Sequence, residues 1–167
     1  VYYRIFNSDG TEVTQCGNGA CCIAIYLNNK GLVKKNSIIA ETKSSQLILK
    51  INNNSVIVNM GIPEFEPADI PLNISGRLEN YSLSLGDEEI IFGAVSIGNP
   101  HAVIIVDDVE SVSVESIGAA VQEYGLFPQG VNVSFVQILD RKTIKLRVYE
   151  RGAGETLACG SGACAAT

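Results

Sequence analysis

Two near-identical hexapeptides decide the interpretation of this sequence: CGNGAC at residues 16–21 and CGSGAC at residues 159–164. They lie 143 residues apart and differ only at their third position, where Asn18 stands in the first copy and Ser161 in the second. A repeat at this separation predicts two similar halves, each containing a strand, a turn and a helix that begins directly after the cysteine.

The match between the two copies extends upstream of the hexapeptides. A glutamate stands four residues before the first cysteine of each copy, at Glu12 and Glu155. We expect these glutamates to cap their helices or to bond to nearby N–H groups, and we leave them out of the catalytic set. The repeat predicts an N-terminal half at residues 1–94 and a C-terminal half at residues 95–167, each incomplete at its outer end.

Most of the remaining sequence alternates between apolar and polar residues, which is typical of half-buried strands. Helical periodicity is confined to three segments, so the fold class is α/β in the broad sense, or α+β, with a mixed sheet in each half. The predicted strands are 1–6, 37–41, 46–51, 56–60, 81–85, 90–97, 102–106, 131–138 and 143–149. The predicted helices are 18–29 and 114–124, with a third that begins at residue 160.

Composition excludes several functional classes. The 167 residues carry a net charge of −6 with no cluster of Lys or Arg, which argues against a nucleic-acid partner. No apolar run reaches the roughly 18 residues that a membrane span requires. The five cysteines are odd in number in a chain that is not short, so we expect reduced thiols and a cytoplasmic location rather than a disulfide framework.

Both ends of the sequence have the features of an internal piece of a longer polypeptide. The chain starts at Val1 inside a strand-like run without an initiator methionine, and it stops at Thr167 inside a small apolar run. We therefore expect segments that precede and follow it in a longer parent.

A cysteine at the start of a helix has a chemical consequence. The first N–H groups of a helix have no internal partner and carry partial positive charge, which favours a thiolate and lowers the pKa of the thiol. Glycines at the next and third positions let a ligand approach the backbone, and the same N–H groups bind an anion such as a carboxylate. We expect this environment at both Cys16 and Cys159.

Two such thiols define a reaction type. If the halves place one sulfur on each face of a bound carbon, a thiolate removes a proton from one face and a thiol returns a proton to the other. The stereocentre is then inverted without a cofactor. Helix N-termini directed at an adjacent carboxylate would stabilise the negative charge that develops. General acid–base transfer contributes a further ~10²–10⁴-fold to the reaction rate.

The sequence resembles the diaminopimelate epimerase family along nearly its whole length. The hexapeptides are joined by other family-like stretches, which together are highly specific. These stretches are YRIFNSDGTEV at residues 3–13, MGIP at 60–63, GNPH at 98–101, GVNV at 130–133 and ERGAGET at 150–156. The resemblance implies conversion of LL-diaminopimelate to meso-diaminopimelate in the synthesis of lysine and peptidoglycan precursors. It also implies two curled mixed sheets, each around a central helix.

The resemblance also implies roles for particular residues. Cys16 and Cys159 would be the paired acid and base. The reacting carboxylate would be bound by the residues that follow them, which are Gly17, Asn18, Gly160 and Ser161. The rest of the substrate would be held by Asn7, Asn99, Asn132, Glu150 and Arg151. Glu150 and His101 would help to set the pKa values of the cysteines. No metal or cofactor is implied, and the full-length parent would be a homodimer.

The sequence departs from the family pattern at two positions of the repeat. Cys21 stands where the family usually has arginine, which removes a positive charge from the first helix. Ser161 replaces a usual threonine and keeps the hydroxyl.

Two other functions stay open at this stage. One is a related racemase or isomerase of the same fold that acts on proline or hydroxyproline, which lack the second amino-acid head that Arg151 and the asparagines suit. The other is a non-enzymatic thiol redox or metal-binding module. A four-cysteine zinc site is disfavoured, because residues five apart on a helix lie about 140° apart around its axis. A Cys16–Cys159 disulfide would follow from oxidation of two neighbouring thiols.

Overall fold

The computed structural model describes residues 1–6, 10, 12–13, 16–43, 46–53 and 55–167. Contacts between residues divide the chain into two compact units, Val1–Ile62 and Pro63–Thr167. The strands of the first unit are β1 (Ile5–Phe6), β2 (Glu12–Val13), β3 (Ser37–Glu41), β4 (Gln46–Asn52) and β5 (Ser55–Asn59), and its helix is α1 (Gly17–Asn29).

The second unit contains the longer sheet. Its strands are β6 (Tyr81–Leu85), β7 (Glu88–Ser96), β8 (Pro100–Ile105), β9 (Asn132–Asp140), β10 (Thr143–Glu150) and β11 (Gly154–Thr156), and its helices are α2 (Val114–Glu123) and α3 (Gly160–Ala165). The predicted α+β class is confirmed.

The first unit is built around α1. Buried residues of this helix recur at helical spacing, at Ala20, Ala24 and Leu27, and pack on the alternating buried residues of β3 and β4. β3, β4 and β5 form an antiparallel sheet, while β1 and β2 form a separate short hairpin.

The second unit is a single six-stranded sheet in the order β11-β10-β9-β8-β7-β6. Every neighbouring pair is antiparallel except β8 and β9, which are parallel, and α2 lies in the crossover between them. Gly118 of α2 lies against Tyr149 of β10, whereas Gly162 of α3 lies against Val148. Successive strand residues point to opposite faces, so α2 and α3 cover opposite faces of this sheet.

The structure corrects several sequence-based boundaries. The predicted strand at residues 1–6 is reduced to β1 and an isolated bridge between Tyr2 and Glu41. β2 and β11 were not predicted, because strands of two and three residues show no alternation to detect. Most other elements agree with the predictions to within two residues.

The compact units do not share their boundary with the predicted halves. Residue 94 lies inside β7, whose neighbours β6 and β8 belong to the same sheet. The division into 1–94 and 95–167 therefore stays a proposal about the sequence repeat, while Ile62 and Pro63 separate the units that pack independently.

Candidate functional site

Each of the two cysteines caps the helix that follows it. Cys16 and Cys159 both have extended backbone conformations, with φ of −154° and −126°, and the helices begin at the next residue. The Cys16 Sγ accepts a hydrogen bond of 3.3 Å from the backbone N–H of Gly19. The Cys159 Sγ accepts an equivalent bond of 3.4 Å from Gly162. Both sulfurs therefore lie on the positively polarised end of a helix.

The hairpins that precede the cysteines repeat as well. In the first unit Ile5 pairs with Val13, and in the second Val148 pairs with Thr156, which is the same register displaced by 143 residues. Within the described residues, the sequence repeat thus corresponds to a repeated pair of antiparallel strands that precedes a cysteine-capped helix.

Glu12 and Glu155 do not cap the helices, contrary to the expectation above. Glu12 accepts hydrogen bonds of 2.9 and 3.2 Å from the Nε and Nη2 of Arg4. Glu155 accepts bonds of 2.6 and 2.9 Å from the same two atoms of Arg147. In each unit the arginine bond lowers the pKa of the glutamate. The expectation was wrong because a guanidinium fork on the partner strand is a stronger donor to a carboxylate than a backbone N–H group.

Cys159 lies in a nearly closed environment. It is 8% exposed, and burial raises the pKa of its thiol above the ordinary value, because the charged thiolate loses hydration. Hydrogen bonds from Ser161 and from the Gly162 N–H lower that pKa, and the nearby Glu150 carboxylate raises it. The net effect corrects the expectation of a lowered pKa here, because burial outweighs the helix terminus. Cys159 is therefore a thiol at neutral pH.

A chain of hydrogen bonds leads from His101 to the sulfur of Cys159. The His101 Nε2 lies 3.2 Å from the Asn99 Oδ1, and the Asn99 Nδ2 donates to the Ser161 Oγ over 3.3 Å. The Ser161 Oγ lies 3.5 Å from the Cys159 Sγ. An amide oxygen only accepts, so the His101 Nε2 must hold the ring proton. The Ser161 hydroxyl then keeps its own proton to donate to the sulfur.

His101 itself is fully buried in β8. Burial, together with the positive charge of Arg151, lowers the pKa of its imidazole to about 4. The ring is therefore neutral at physiological pH. Its Nδ1 has no hydrogen-bond partner among the described residues. His101 contacts the cysteine site through Asn99 and Ser161.

Asn132 and Arg151 form a second polar group next to His101. Asn132 is directly opposite His101 in the parallel pairing of β8 and β9. Its Oδ1 accepts a hydrogen bond of 2.9 Å from the backbone N–H of Arg151. The Arg151 Nη1 donates to the carbonyl of Gln129 over 2.6 Å. Its side chain lies against Gly130, where φ is +73° and a Cβ would lie only 2.6 Å from the Arg151 Cδ.

Glu150 connects this polar group to the cysteine. Its Oε1 accepts a hydrogen bond of 2.5 Å from the Thr156 hydroxyl across the β10–β11 hairpin. The predicted site residues of the second unit all lie within that one unit, and most of them are joined by the contacts described above. These residues are Asn99, His101, Asn132, Glu150, Arg151, Cys159, Gly160 and Ser161.

The predicted site residues of the first unit are at the start of α1. Cys16, Gly17 and Asn18 form this start, while Asn7 lies outside the described residues. The Tyr3 hydroxyl lies where a Cβ at residue 19 would be. Only glycine at position 19 leaves room for this hydroxyl. Burial and the neighbouring Cys16 raise the pKa of Tyr3 to about 12.

Sequence reasoning missed Arg4, Arg147 and Tyr3. A signal for the arginines was present, because each stands 12 residues before the first cysteine of its hexapeptide. No such signal existed for Tyr3, since the residue at the matching position of the second copy is Leu146. Its contact with Gly19 depends on how the hairpin packs against α1.

The sequence matches the family described as diaminopimelate epimerase over residues 1–66 and 93–167. The chain belongs to the diaminopimelate epimerase family. It is 53% identical to the diaminopimelate epimerase of Nitrosomonas eutropha over 165 residues, which cover 98% of this chain and 59% of that relative. The chain thus spans less than two thirds of the length of this curated family member.

Solved structures share the fold at low sequence identity. A hydroxyproline epimerase from Agrobacterium vitis matches with a TM-score of 0.68 and 14% identity, over 97% of this chain and 53% of its own. A probable proline racemase from Agrobacterium radiobacter matches with a TM-score of 0.67 and 16% identity, over 96% and 53% of the two chains. These likenesses confirm the predicted epimerase-like fold.

None of the helices in the described part of the chain combines the length and the apolar character that crossing a lipid bilayer requires.

Proposed function

We propose that this protein is an isomerase that interconverts LL- and meso-diaminopimelate without a cofactor, with Cys16 and Cys159 as the paired acid and base. The observation that carries the proposal is the duplicated cap, in which each sulfur accepts a hydrogen bond from the first turn of its own helix. Membership of the diaminopimelate epimerase family and 53% identity to a member of that name support the choice of substrate.

The chemistry is two proton transfers with no net redox change. The thiolate of one cysteine takes the α-proton, and the electron pair of the broken C–H bond is delocalised toward the substrate carboxylate. The thiol of the other cysteine then protonates the opposite face of the carbon and becomes the thiolate. The two cysteines exchange the roles of acid and base when the direction of the reaction reverses.

The backbone at the two helix starts supplies the electrostatic part of the mechanism. The negative charge that forms next to the carboxylate is stabilised by N–H groups that are already oriented, so no reorganisation accompanies the reaction. Gly17, Asn18, Gly160 and Ser161 provide these groups in the proposal. Glycine at the first helical position leaves room for the carboxylate to reach the backbone.

The rest of the substrate is assigned to the polar group of the second unit. Arg151 offers a planar fork that matches a carboxylate, with Asn99, Asn132 and the predicted Asn7 as amide partners. Glu150 is suited to a substrate amine. The proposal includes no nucleic-acid or membrane partner, a homodimer of the full-length parent and a cytoplasmic location.

The proposal is tested by a substrate panel. The protein is incubated with LL-diaminopimelate, meso-diaminopimelate, proline and hydroxyproline, and the stereoisomers are separated by chiral chromatography. We expect interconversion of the two diaminopimelates only. Turnover of proline or hydroxyproline alone would contradict the assigned substrate and support the related racemase. If none of the four compounds is turned over and the protein binds stoichiometric zinc, the proposed enzymatic function is wrong.

A further inference from the structure

The duplicated ion pairs are the feature that the proposed mechanism does not use. Arg4–Glu12 and Arg147–Glu155 are bidentate pairs in the same relation to their cysteines, since each glutamate stands four residues and each arginine 12 residues before the cap. Nothing in the chemistry of proton transfer requires them. Their repetition nevertheless accompanies the repetition of the cysteines.

The pairs are placed where they fix the hairpins. Phe6 lies directly opposite Glu12, and Tyr149 lies directly opposite Glu155. Each arginine is two residues before that partner, so arginine and glutamate are diagonal neighbours on one face of a two-stranded ribbon. A fork that binds both carboxylate oxygens constrains orientation as well as distance. It therefore fixes the register of a hairpin in which two residue pairs join the described parts of β1 and β2.

The second pair also ties its hairpin to the neighbouring helix region. The Arg147 Nη1 donates to the carbonyls of Val109 and Val112, over 2.9 and 3.3 Å, just before α2. The backbone N–H of Glu155 donates to the Glu115 Oε1 in the first turn of α2, over 3.3 Å. The segment between Glu155 and Cys159 therefore begins at a residue that is held by hydrogen bonds to Arg147 and Glu115. The Arg4–Glu12 pair is more exposed, with Arg4 54% and Arg147 29% exposed.

We propose that Arg4–Glu12 and Arg147–Glu155 are equivalent positioning pairs, each of which sets the place of the cap cysteine that follows it. The effect on turnover rests on the proposed function, whereas the effect on each sulfur does not. Both pairs are at least partly exposed, and ion pairs at such positions contribute little to global stability, so we expect the consequence of losing one to be local. A displacement of about 1 Å in a reacting group can cost on the order of 100-fold in rate.

The test compares the reactivity of the two thiols in the same molecule. Alkylation of Cys16 and Cys159 by iodoacetamide is followed by peptide mass spectrometry in the wild type, in Arg147→Ala and in Arg147→Lys. We expect Arg147→Ala to speed alkylation at Cys159 about 10-fold, because local opening exposes a sulfur that is otherwise 8% exposed. Cys16 in the same molecule is expected to change less than about twofold, and Arg147→Lys to lie in between.

Lys145→Ala is the matched control for the second unit. Lys145 stands two residues before Arg147 on the same strand and forms an exposed ion pair with Glu110 at 3.6 Å. We expect no change at either cysteine. In the first unit, Arg4→Ala is expected to change alkylation at Cys16 alone. The double exchange Arg4→Glu with Glu12→Arg should restore the wild-type rate.

Turnover provides the second readout. If diaminopimelate is the substrate, Arg147→Ala should lower kcat on the order of 10- to 100-fold while KM changes less, because positioning acts on the reacting atoms. The proposal is overturned if folded Arg147→Ala, checked by circular dichroism, leaves Cys159 reactivity unchanged. It is also overturned if both cysteines respond equally in each variant. A wild type that does not turn over diaminopimelate would sink the proposed function alone, since the alkylation result is independent of it.

Discussion

The two hexapeptides fold into the same local structure and yet give their cysteines different surroundings. Both sulfurs cap a helix at nearly equal distances from a first-turn N–H, 3.3 Å at Cys16 and 3.4 Å at Cys159. Cys16 is partly exposed, whereas Cys159 is 8% exposed and lies beside Ser161 and Glu150. The comparison shows that the backbone places a thiol at a helix start, while the surrounding elements decide how far that thiol is buried.

The largest effect is expected from removing either sulfur. Cys16→Ala and Cys159→Ala should each lower epimerisation by ~10²–10⁴-fold, because general acid–base transfer has that magnitude and the proposed mechanism uses one cysteine for each face of the carbon. Initial rates of diaminopimelate conversion provide the measurement. Cys164→Ala, an exposed cysteine on the same helix as the cap Cys159, is the control and should keep wild-type activity.

A difference in acid sensitivity between the two units is the next largest effect. His101 is the one histidine of the chain and lies in the second unit, where its pKa is lowered to about 4. In the unfolded chain the imidazole of His101 is protonated below about pH 6.5. In the folded chain it stays neutral until the pH falls to about 4. The histidine therefore stabilises the fold fully above pH 6.5, and this contribution is lost as the pH falls to 4. The loss is roughly 3 kcal/mol.

Hydrogen exchange of backbone amides at pH 7 and pH 4.5 would show this difference. Protection should decrease in β8 and β9 more than in β3 and β4. The variant His101→Gln keeps a donor for Asn99 but cannot titrate, so it should lose the extra pH dependence. Equal acid sensitivity of the wild type and this variant would contradict the assignment.

Substituting the first-turn glycines Gly19 and Gly162 should affect the units unequally. In Gly19→Ala the new methyl would overlap the Tyr3 hydroxyl, whereas in Gly162→Ala it would lie 3.1 Å from a methyl of Val148. Overpacking of this kind costs about 1–3 kcal/mol, and alanine recovers up to about 1 kcal/mol of helix propensity. We expect urea denaturation to show a clear loss for Gly19→Ala and little for Gly162→Ala. Adding Tyr3→Phe to Gly19→Ala should recover stability; a double variant no more stable than the single one would count against the contact.

The smallest effect concerns the hydroxyl beside Cys159. Ser161→Ala should move the alkylation profile of Cys159 to higher pH, because the lost hydrogen bond is one that lowers the thiol pKa. The thiolate fraction at a given pH should fall, since the hydrogen bond from the Ser161 hydroxyl stabilises the charged form of the sulfur. Ser161→Thr keeps the hydroxyl and should leave the profile in place. If the alkylation profile of Ser161→Ala is not shifted, the Ser161 hydroxyl does not influence the pKa of Cys159.

The sequence was sufficient for what depends on short-range pattern. The starts of α1 and α3 follow from glycines after a cysteine, and the strands β3 to β10 follow from alternation. The sequence was insufficient for features that depend on packing between residues distant in the chain. The parallel pairing of β8 with β9 and the burial that reverses the expected pKa direction at Cys159 both depend on residues distant in the chain. The arginines were missed because an arginine in a run of strand-like residues is ordinary until its ion-pair partner is known.

The most direct test of paired thiol catalysis follows the label during single-direction conversion in heavy water. The reaction is stopped when less than about a tenth of the LL-diaminopimelate has been converted. The substrate and the product are then separated and analysed for deuterium by mass spectrometry. With one thiol on each face, the donor has exchanged with solvent before it protonates the carbon. We predict one deuterium in nearly every product molecule and none in the recovered substrate. Product that retains the original hydrogen would contradict the two-thiol mechanism.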